Sequence, residues 1–176
     1  NINKENSIFV NAGKYSRQPY LNNMFVRNTV KFVDPEVKNE ELQSIEAGYR
    51  YKTRTLRVNI NAYYTEWNNR ADTYNDRDFK DSNDKLHANV RYLLNDLTQV
   101  HKGIEVDFDA KVTRDWTIKG YASAGDWRYQ GDFTYQVQDT DTQEIVPGTE
   151  NGTGNLDGVR VGNAAQFTFG MGTKVY

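Results

Sequence analysis

The sequence predicts an all-β chain, an antiparallel transmembrane β-barrel segment of about six long strands with short turns at one end and long loops at the other. Three observations point there. Apolar and polar residues alternate one for one over stretches of about ten residues, where a soluble half-buried strand alternates for about four to eight. The connections between these stretches are short and long in turn, as transmembrane barrels have them. Finally, the 176 residues are only 37% hydrophobic yet 13% aromatic, with 12 Tyr. That composition is meagre for a soluble core but suits a wall that is apolar on one side and carries aromatic girdles.

The elements follow in order. Strand 7–16 sets Ile8, Val10 and Ala12 against Ser7, Phe9, Asn11 and Gly13, and a polar connection spans 17–43. Strand 44–52 sets Ile45, Ala47, Tyr49 and Tyr51 against Glu46, Gly48, Arg50 and Lys52. After only Thr53 and Arg54, strand 55–67 sets Leu56, Val58, Ile60, Ala62 and Tyr64 against Arg57, Asn59, Asn61, Tyr63 and Thr65. A second long polar connection is expected over 69–102. Strand 103–112 has the sharpest pattern: Ile104, Val106, Phe108, Ala110 and Val112 alternate with Glu105, Asp107, Asp109 and Lys111. A turn at 113–115 leads to strand 116–127, where Trp116, Ile118, Gly120, Ala122 and Ala124 oppose Thr117, Lys119, Tyr121 and Ser123. The third long connection runs over 128–163. Strand 164–175 closes the series, with Ala165, Phe167, Phe169, Met171 and Val175 opposing Gln166, Thr168, Gly170, Gly172 and Lys174.

Ten residues at about 3.3 Å each, tilted by roughly 45°, cross the hydrocarbon of a bilayer. The expected lipid-facing residues are Val106, Phe108, Ile118, Phe167 and Phe169; the expected lumen-facing residues are Glu105, Asp107, Asp109 and Lys119. The three-residue turn predicts Asp109 opposite Lys119 and Asp107 opposite Tyr121. Backbone groups in lipid must all be paired, so such a sheet closes on itself. Because bacterial barrels begin at about eight strands, these six are expected to be part of a larger one. Two rival readings are a soluble β-sandwich ligand-binding module and a passive porin or adhesin barrel.

Three stretches carry a family resemblance: YSRQPYLNNMF (15–25), DPEVKNEELQSIEAGYRYKTRTLRVNINAYYTEWNNR (34–70) and HKGIEVDFDAKVTRDWTIKGYASAGDWRY (101–129). Their order and spacing resemble the late barrel strands of TonB-dependent outer-membrane receptors. Asp34-Pro35 stands where the family has Asn-Pro, and Lys38-Asn39-Glu40 where it has Lys-Pro-Glu. DGVRVGNAAQFTFGMG (157–172) is similar to the next descending strand in Bacteroidetes members. The resemblance implies a barrel of about 22 strands around a plug, sited in the bacterial outer membrane. It also implies import of a scarce solute: a ferric siderophore, haem, cobalamin, a glycan or a peptide. The implied partners are outer-membrane lipid, the remainder of the barrel and its plug, TonB through an N-terminal part not in this chain, and a surface lipoprotein. No plug or TonB box is recognisable, and Lys174 breaks the alternation counted back from Tyr176. The chain is therefore expected to be an internal piece of the barrel's C-terminal half.

Candidate solute contacts are the loop aromatics Tyr20, Phe25, Tyr74, Phe79, Tyr92, Tyr129, Phe133 and Tyr135, which stack either on a solute ring or on one another. Tyr64, Trp67, Trp116 and Trp127 sit near strand ends and are expected to anchor the girdles. The carboxylate-rich stretches 75–84 and 139–144 lack the Asp-x-Asp-x-Asp-Gly calcium pattern, and neither His87 nor His101 has ligand-spaced partners in sequence. Gly-rich 148–158 is expected to be a loop tip. No nucleophile–base arrangement is discernible, so no enzyme, cofactor or metal site is expected. A net charge of −2 gives no reason to expect a nucleic-acid partner.

Overall fold

The computed structural model describes residues 2–26, 29–33, 36–162 and 164–175. The chain runs through β1 (Asn6–Arg17), α1 (Leu21–Met24), β2 (Glu40–Lys52), β3 (Leu56–Lys80), β4 (Leu86–Lys111), β5 (Trp116–Gln130), β6 (Asp132–Asp139), β7 (Gly152–Asn155) and β8 (Phe167–Val175). All strands lie in one antiparallel sheet ordered β1-β2-β3-β4-β5-β8, with β6 added beside the upper part of β4 and β7 beside β6. Among the described residues β1 pairs only with β2 and β8 only with β5, so the sheet is open at both edges.

The alternation read from the sequence becomes continuous rows across the sheet, because paired residues point to the same face. One row runs Val10, Ala47, Ala62, Ile104, Ala124, Phe167 over six strands. The next runs Ile8, Tyr49, Ile60, Val106, Ala122, Phe169. No charge interrupts either. Nothing in the described chain covers this face: Phe169 is 74% and Met171 80% exposed. A sandwich with Val106, Phe108, Phe167 and Phe169 in a shared core is therefore not what the chain forms. On the opposite face Asp107 pairs with Tyr121 and Asp109 with Lys119, and the Lys119 Nζ lies 3.1 Å from the Asp109 carboxylate.

The turns at 53–55 and 112–115 lie at one end of the strands. Thr53 closes the first, its N–H donating to Leu56 O at 2.8 Å and its Oγ1 accepting from Leu56 N at 3.0 Å. Val112 N donates to Trp116 O at 2.9 Å in the second. The long connections leave from the other end.

Two of those connections differ from the sequence reading. The expected loop 69–102 is mostly strand: β3 and β4 run on as a hairpin to a tip at 81–85. The alternation is lost there because each strand carries a bulge. Register passes from Trp67–Gln99 through Arg70–Leu97 to Asp72–Leu94. Asn69 (φ 53°) and Asp96 (φ 57°) take the left-handed backbone that such insertions need. The connection 128–163 also contains structure, β6 and β7, and Gly-rich 148–158 is in part a paired strand. The last strand begins at Phe167, later than position 164. Asp34, Pro35, Asn163 and Tyr176, used in the sequence reading, lie outside the described residues.

The buried apolar residues lie in the hairpin extension and the connections packed against it, and not in the exposed apolar rows. Val26, Val33 and Val37 of the β1–β2 connection pack with Ala71 and Leu93. Val90, Val137 and Val146 pack with Phe79, Tyr92 and Tyr135. Leu93 and Tyr92 are adjacent in β4 and point to opposite faces, so each side of the extension has a small core.

Candidate functional site

Three constellations stand on this frame. The first is a ladder on the charged face, where the long strands meet the extension. Arg17 ends β1 and faces Glu40 at the start of β2. Arg17 Nε and Nη2 reach the same Glu40 oxygen at 2.9 and 2.8 Å, and Trp67 Nε1 donates to it at 3.0 Å. Glu40 is only 2% exposed, so all three donors serve to satisfy a buried carboxylate. The Arg17 and Arg70 guanidinium carbons lie 5.1 and 4.3 Å from the Trp67 ring centroid. Arg70 Nη1 donates to Gln99 Oε1 at 2.5 Å, and His101 Nε2 lies 3.1 Å from the same oxygen. The His101 ring stacks on Trp127, centroids 5.1 Å apart and planes 12° from parallel. Trp127 Nε1 donates to Tyr63 OH at 2.9 Å. Tyr63 reaches it across Gly103, where an added Cβ would meet the Tyr63 hydroxyl at 2.6 Å. Trp67 and Trp127, expected in the girdles, lie on the charged face and not on the apolar one. Their registers, Trp67–Gln99 and His101–Trp127, put them on the Asp107 face. Tyr64, paired with Ile45 and Lys102, does sit on the apolar face.

The second constellation gathers five of the eight candidate aromatics. Tyr74 pairs with Tyr92 across the β3–β4 extension, with centroids 6.1 Å apart. Tyr92 continues to Tyr135 at 6.2 Å and Tyr135 to Phe133 at 6.3 Å, while Phe79 meets Tyr92 edge-on at 6.2 Å. Phe133 and Tyr135 lie over Gly154 and Gly152 of β7, where a Cβ would come within 2.4 and 2.6 Å of ring carbons. Glycine here lets the rings lie directly on the backbone of the paired strand. Phe79, Tyr92 and Tyr135 rest on the small core below them, and Tyr74 is 59% exposed. Asp76 is close enough for its charge to act on Tyr92, whose phenol is pushed up first by burial and then by Asp76.

The remaining candidates stand apart. Tyr20 lies beside Arg17, 4.9 Å from its guanidinium carbon. Phe25 stacks on Phe32 at 4.7 Å and lines a cavity of about 460 Å³ with Asn22, Thr73, Asn75 and Arg91. Tyr129 pairs with Gln99.

The third constellation was not legible in sequence. His87 is buried between Asp139, 2.9 Å from Nδ1, and Asp81, 3.4 Å from Nε2. Asp139 is 52 positions away from His87, so no spacing rule could find it. The two carboxylates grip opposite ring nitrogens and share no common point, and among the described residues no His, Asp and Glu group has the geometry of a metal site.

A family model described as TonB dependent receptor-like, beta-barrel matches residues 1–176. No curated protein and no solved structure matches.

Proposed function

The chain belongs to the TonB-dependent receptor-like β-barrel family, and from that premise we propose that its sheet is a stretch of importer wall with the apolar rows toward lipid and the charged face toward the lumen. One observation carries this reading. Two uncharged rows cross six strands on a face that none of the described residues covers. Water penalises that face and a bilayer does not. In this reading Val106, Phe108, Ile118, Phe167 and Phe169 meet lipid, while Glu105, Asp107, Asp109 and Lys119 meet the lumen. The open edges at β1 and β8 pair with further strands toward a total of about 22. A plug fills the interior, and TonB and a surface lipoprotein are the further partners.

The solute contact in this reading is the row Tyr74, Tyr92, Tyr135 and Phe133. Ring contacts contribute about 0.5–1.5 kcal/mol each beyond burial. The test is growth of cells carrying the full-length receptor on one scarce solute at a time: a ferric siderophore, haem, cobalamin, an oligosaccharide or a peptide. Deletion should abolish uptake of one class. Tyr74→Ala with Phe133→Ala should weaken binding of that solute by roughly tenfold. Wild-type affinity in the double variant would remove the aromatic row from the site.

A further inference from the structure

The face that carries the apolar rows changes character at one height. In the row above Ala62, Ile104 and Ala124 it holds Tyr64, Lys102 and Asp126, and in the row above that Glu66, Val100 and Arg128. Arg160 bridges to Arg128 and so stands on the same face. Counting down the strand, Val112 comes ten residues after Lys102. Those residues cover about 33 Å of strand and, at a tilt of about 45°, roughly 23 Å of height, close to an apolar band of about 25 Å. Lys102 and Arg128 therefore sit at the rim of the band, on the side of the long connections. A hollow of about 270 Å³ opens there, lined by Tyr64, Lys102, Asp126, Arg128, Asp157 and Gly158. Its cations are held in place. Asp126 Oδ1 accepts from Arg128 Nε at 2.7 Å, and Oδ2 lies 3.6 Å from Lys102 Nζ. Arg128 Nη1 donates to Gly158 O at 2.8 Å. The second carboxylate, Asp157, accepts from Gly131 N at 3.1 Å.

We propose that this hollow binds the phosphate of an outer-leaflet lipid headgroup. The inference rests on the importer reading above and adds a specific lipid site to a wall that otherwise needs only to be apolar. Three features point to a phosphate. An ammonium has three N–H donors and a guanidinium five, so Lys102 and Arg128 can serve Asp126 and a second anion together. Arg128 stands directly opposite Arg160, and like charges so placed repel each other until an anion lies between them. Asp126 sets an ammonium and a guanidinium side by side, and a guanidinium fork matches phosphate oxygens in both charge and geometry. Position selects a lipid over a solute. The hollow opens on the face of the apolar rows, which a solute in the lumen does not reach. Tyr64 beside it suits the boundary between hydrocarbon and headgroups.

The experiment is native mass spectrometry of the full-length receptor, released from detergent micelles and titrated with lipid A, with dephosphorylated lipid A and with inorganic phosphate. The wild type is expected to hold lipid A roughly tenfold more tightly than its dephosphorylated form. Lys102→Gln with Arg128→Gln is expected to erase that preference, while Lys14→Gln, on the same face in β1, keeps it. Should the double variant fail to assemble, Arg160→Gln alone is expected to reduce the preference by roughly threefold. Equal binding of the two lipids by the wild type, full preference in an assembled double variant, or an equal loss in Lys14→Gln would overturn the site. Binding of inorganic phosphate as tight as that of lipid A would overturn it in favour of a site for the free ion. Each of these leaves the importer reading standing. Loss of the preference in Arg57→Gln with Lys119→Gln, and not in Lys102→Gln with Arg128→Gln, would put the charged face toward lipid and sink that reading as well.

Discussion

The sharpest residue-level consequences lie in the His87 clamp. The Asp139 carboxyl is held below the usual carboxylate range, first by its bond to His87 and then by the N–H groups of Thr142 and Asp141, with burial opposing. At Asp81 burial pushes the pKa up, but the N–H groups of Asn83 and Lys85 together with His87 outweigh it and leave it lowered. A depressed carboxylate stabilises the folded state above its unfolded pKa of about 4, and that stabilisation is lost as pH falls through the lower folded value. Protection of β6 amides in the full receptor, corrected for intrinsic exchange, should therefore drop on acidification below about pH 4. Asp139→Asn should lower protection at neutral pH and flatten that dependence; an acid transition of wild-type size in Asp139→Asn would refute the assignment. A second residue-level prediction concerns β7. Gly154→Val puts a methyl-bearing carbon where Phe133 Cζ lies 2.4 Å away. Displacing the ring should cost about 1–3 kcal/mol, seen as proteolytic nicking near 152–155 while the long strands stay protected.

At the scale of elements, the two faces of β4 should respond unequally to charge. Val106→Arg or Phe108→Arg should cost roughly 2–4 kcal/mol near the bilayer midplane, whereas Asp107→Asn, which keeps an acceptor for Asn59 Nδ2 at 2.7 Å, should cost far less. Reversible unfolding of the full barrel in lipid measures both, and equal costs would mean that β4 is covered on both faces. The same contrast explains what the sequence made legible. Where one face is apolar and the other charged, period two is written plainly, and the Asp109–Lys119 register follows from the turn length alone. Above Trp67 the pattern fails for physical reasons. Asn69 and Asp96 each insert a residue, and loops pack on both sides of the extension, so LHANVRYLLNDLTQ has no purely polar face to alternate with. β7 is four residues long, and its signal is the absence of side chains under Phe133 and Tyr135. Trp67 and Trp127 were hard to place because tryptophan near a strand end suits an apolar girdle and a polar ladder equally. Their parity with Asp107 was readable, but the bonds to Glu40 and Tyr63 were not.

For the whole molecule the decisive quantity is length against bilayer thickness. β3 has 25 residues and β4 has 26; at about 3.3 Å per residue each measures roughly 80 Å, far more than a tilted crossing of a hydrocarbon core of about 30 Å requires. The surplus must project on one side. The short turns at 53–55 and 112–115 permit no such projection at their end. The projecting part is therefore the β3–β4 hairpin with β6 and β7, and its buried apolar residues form a core of its own instead of facing lipid. In the importer reading that part stands outside the cell, where the solute arrives, and the short turns face the periplasm. The chain has no cysteine, so a single introduced thiol reports sidedness without background from this segment. Asn83→Cys at the exposed hairpin tip should react with a membrane-impermeant maleimide on intact cells. Arg114→Cys, in the turn before β5, should react only after the envelope is permeabilised. Labelling of Arg114→Cys on intact cells, with Asn83→Cys protected, would invert the orientation and put the aromatic row on the wrong side of the membrane to meet an incoming solute.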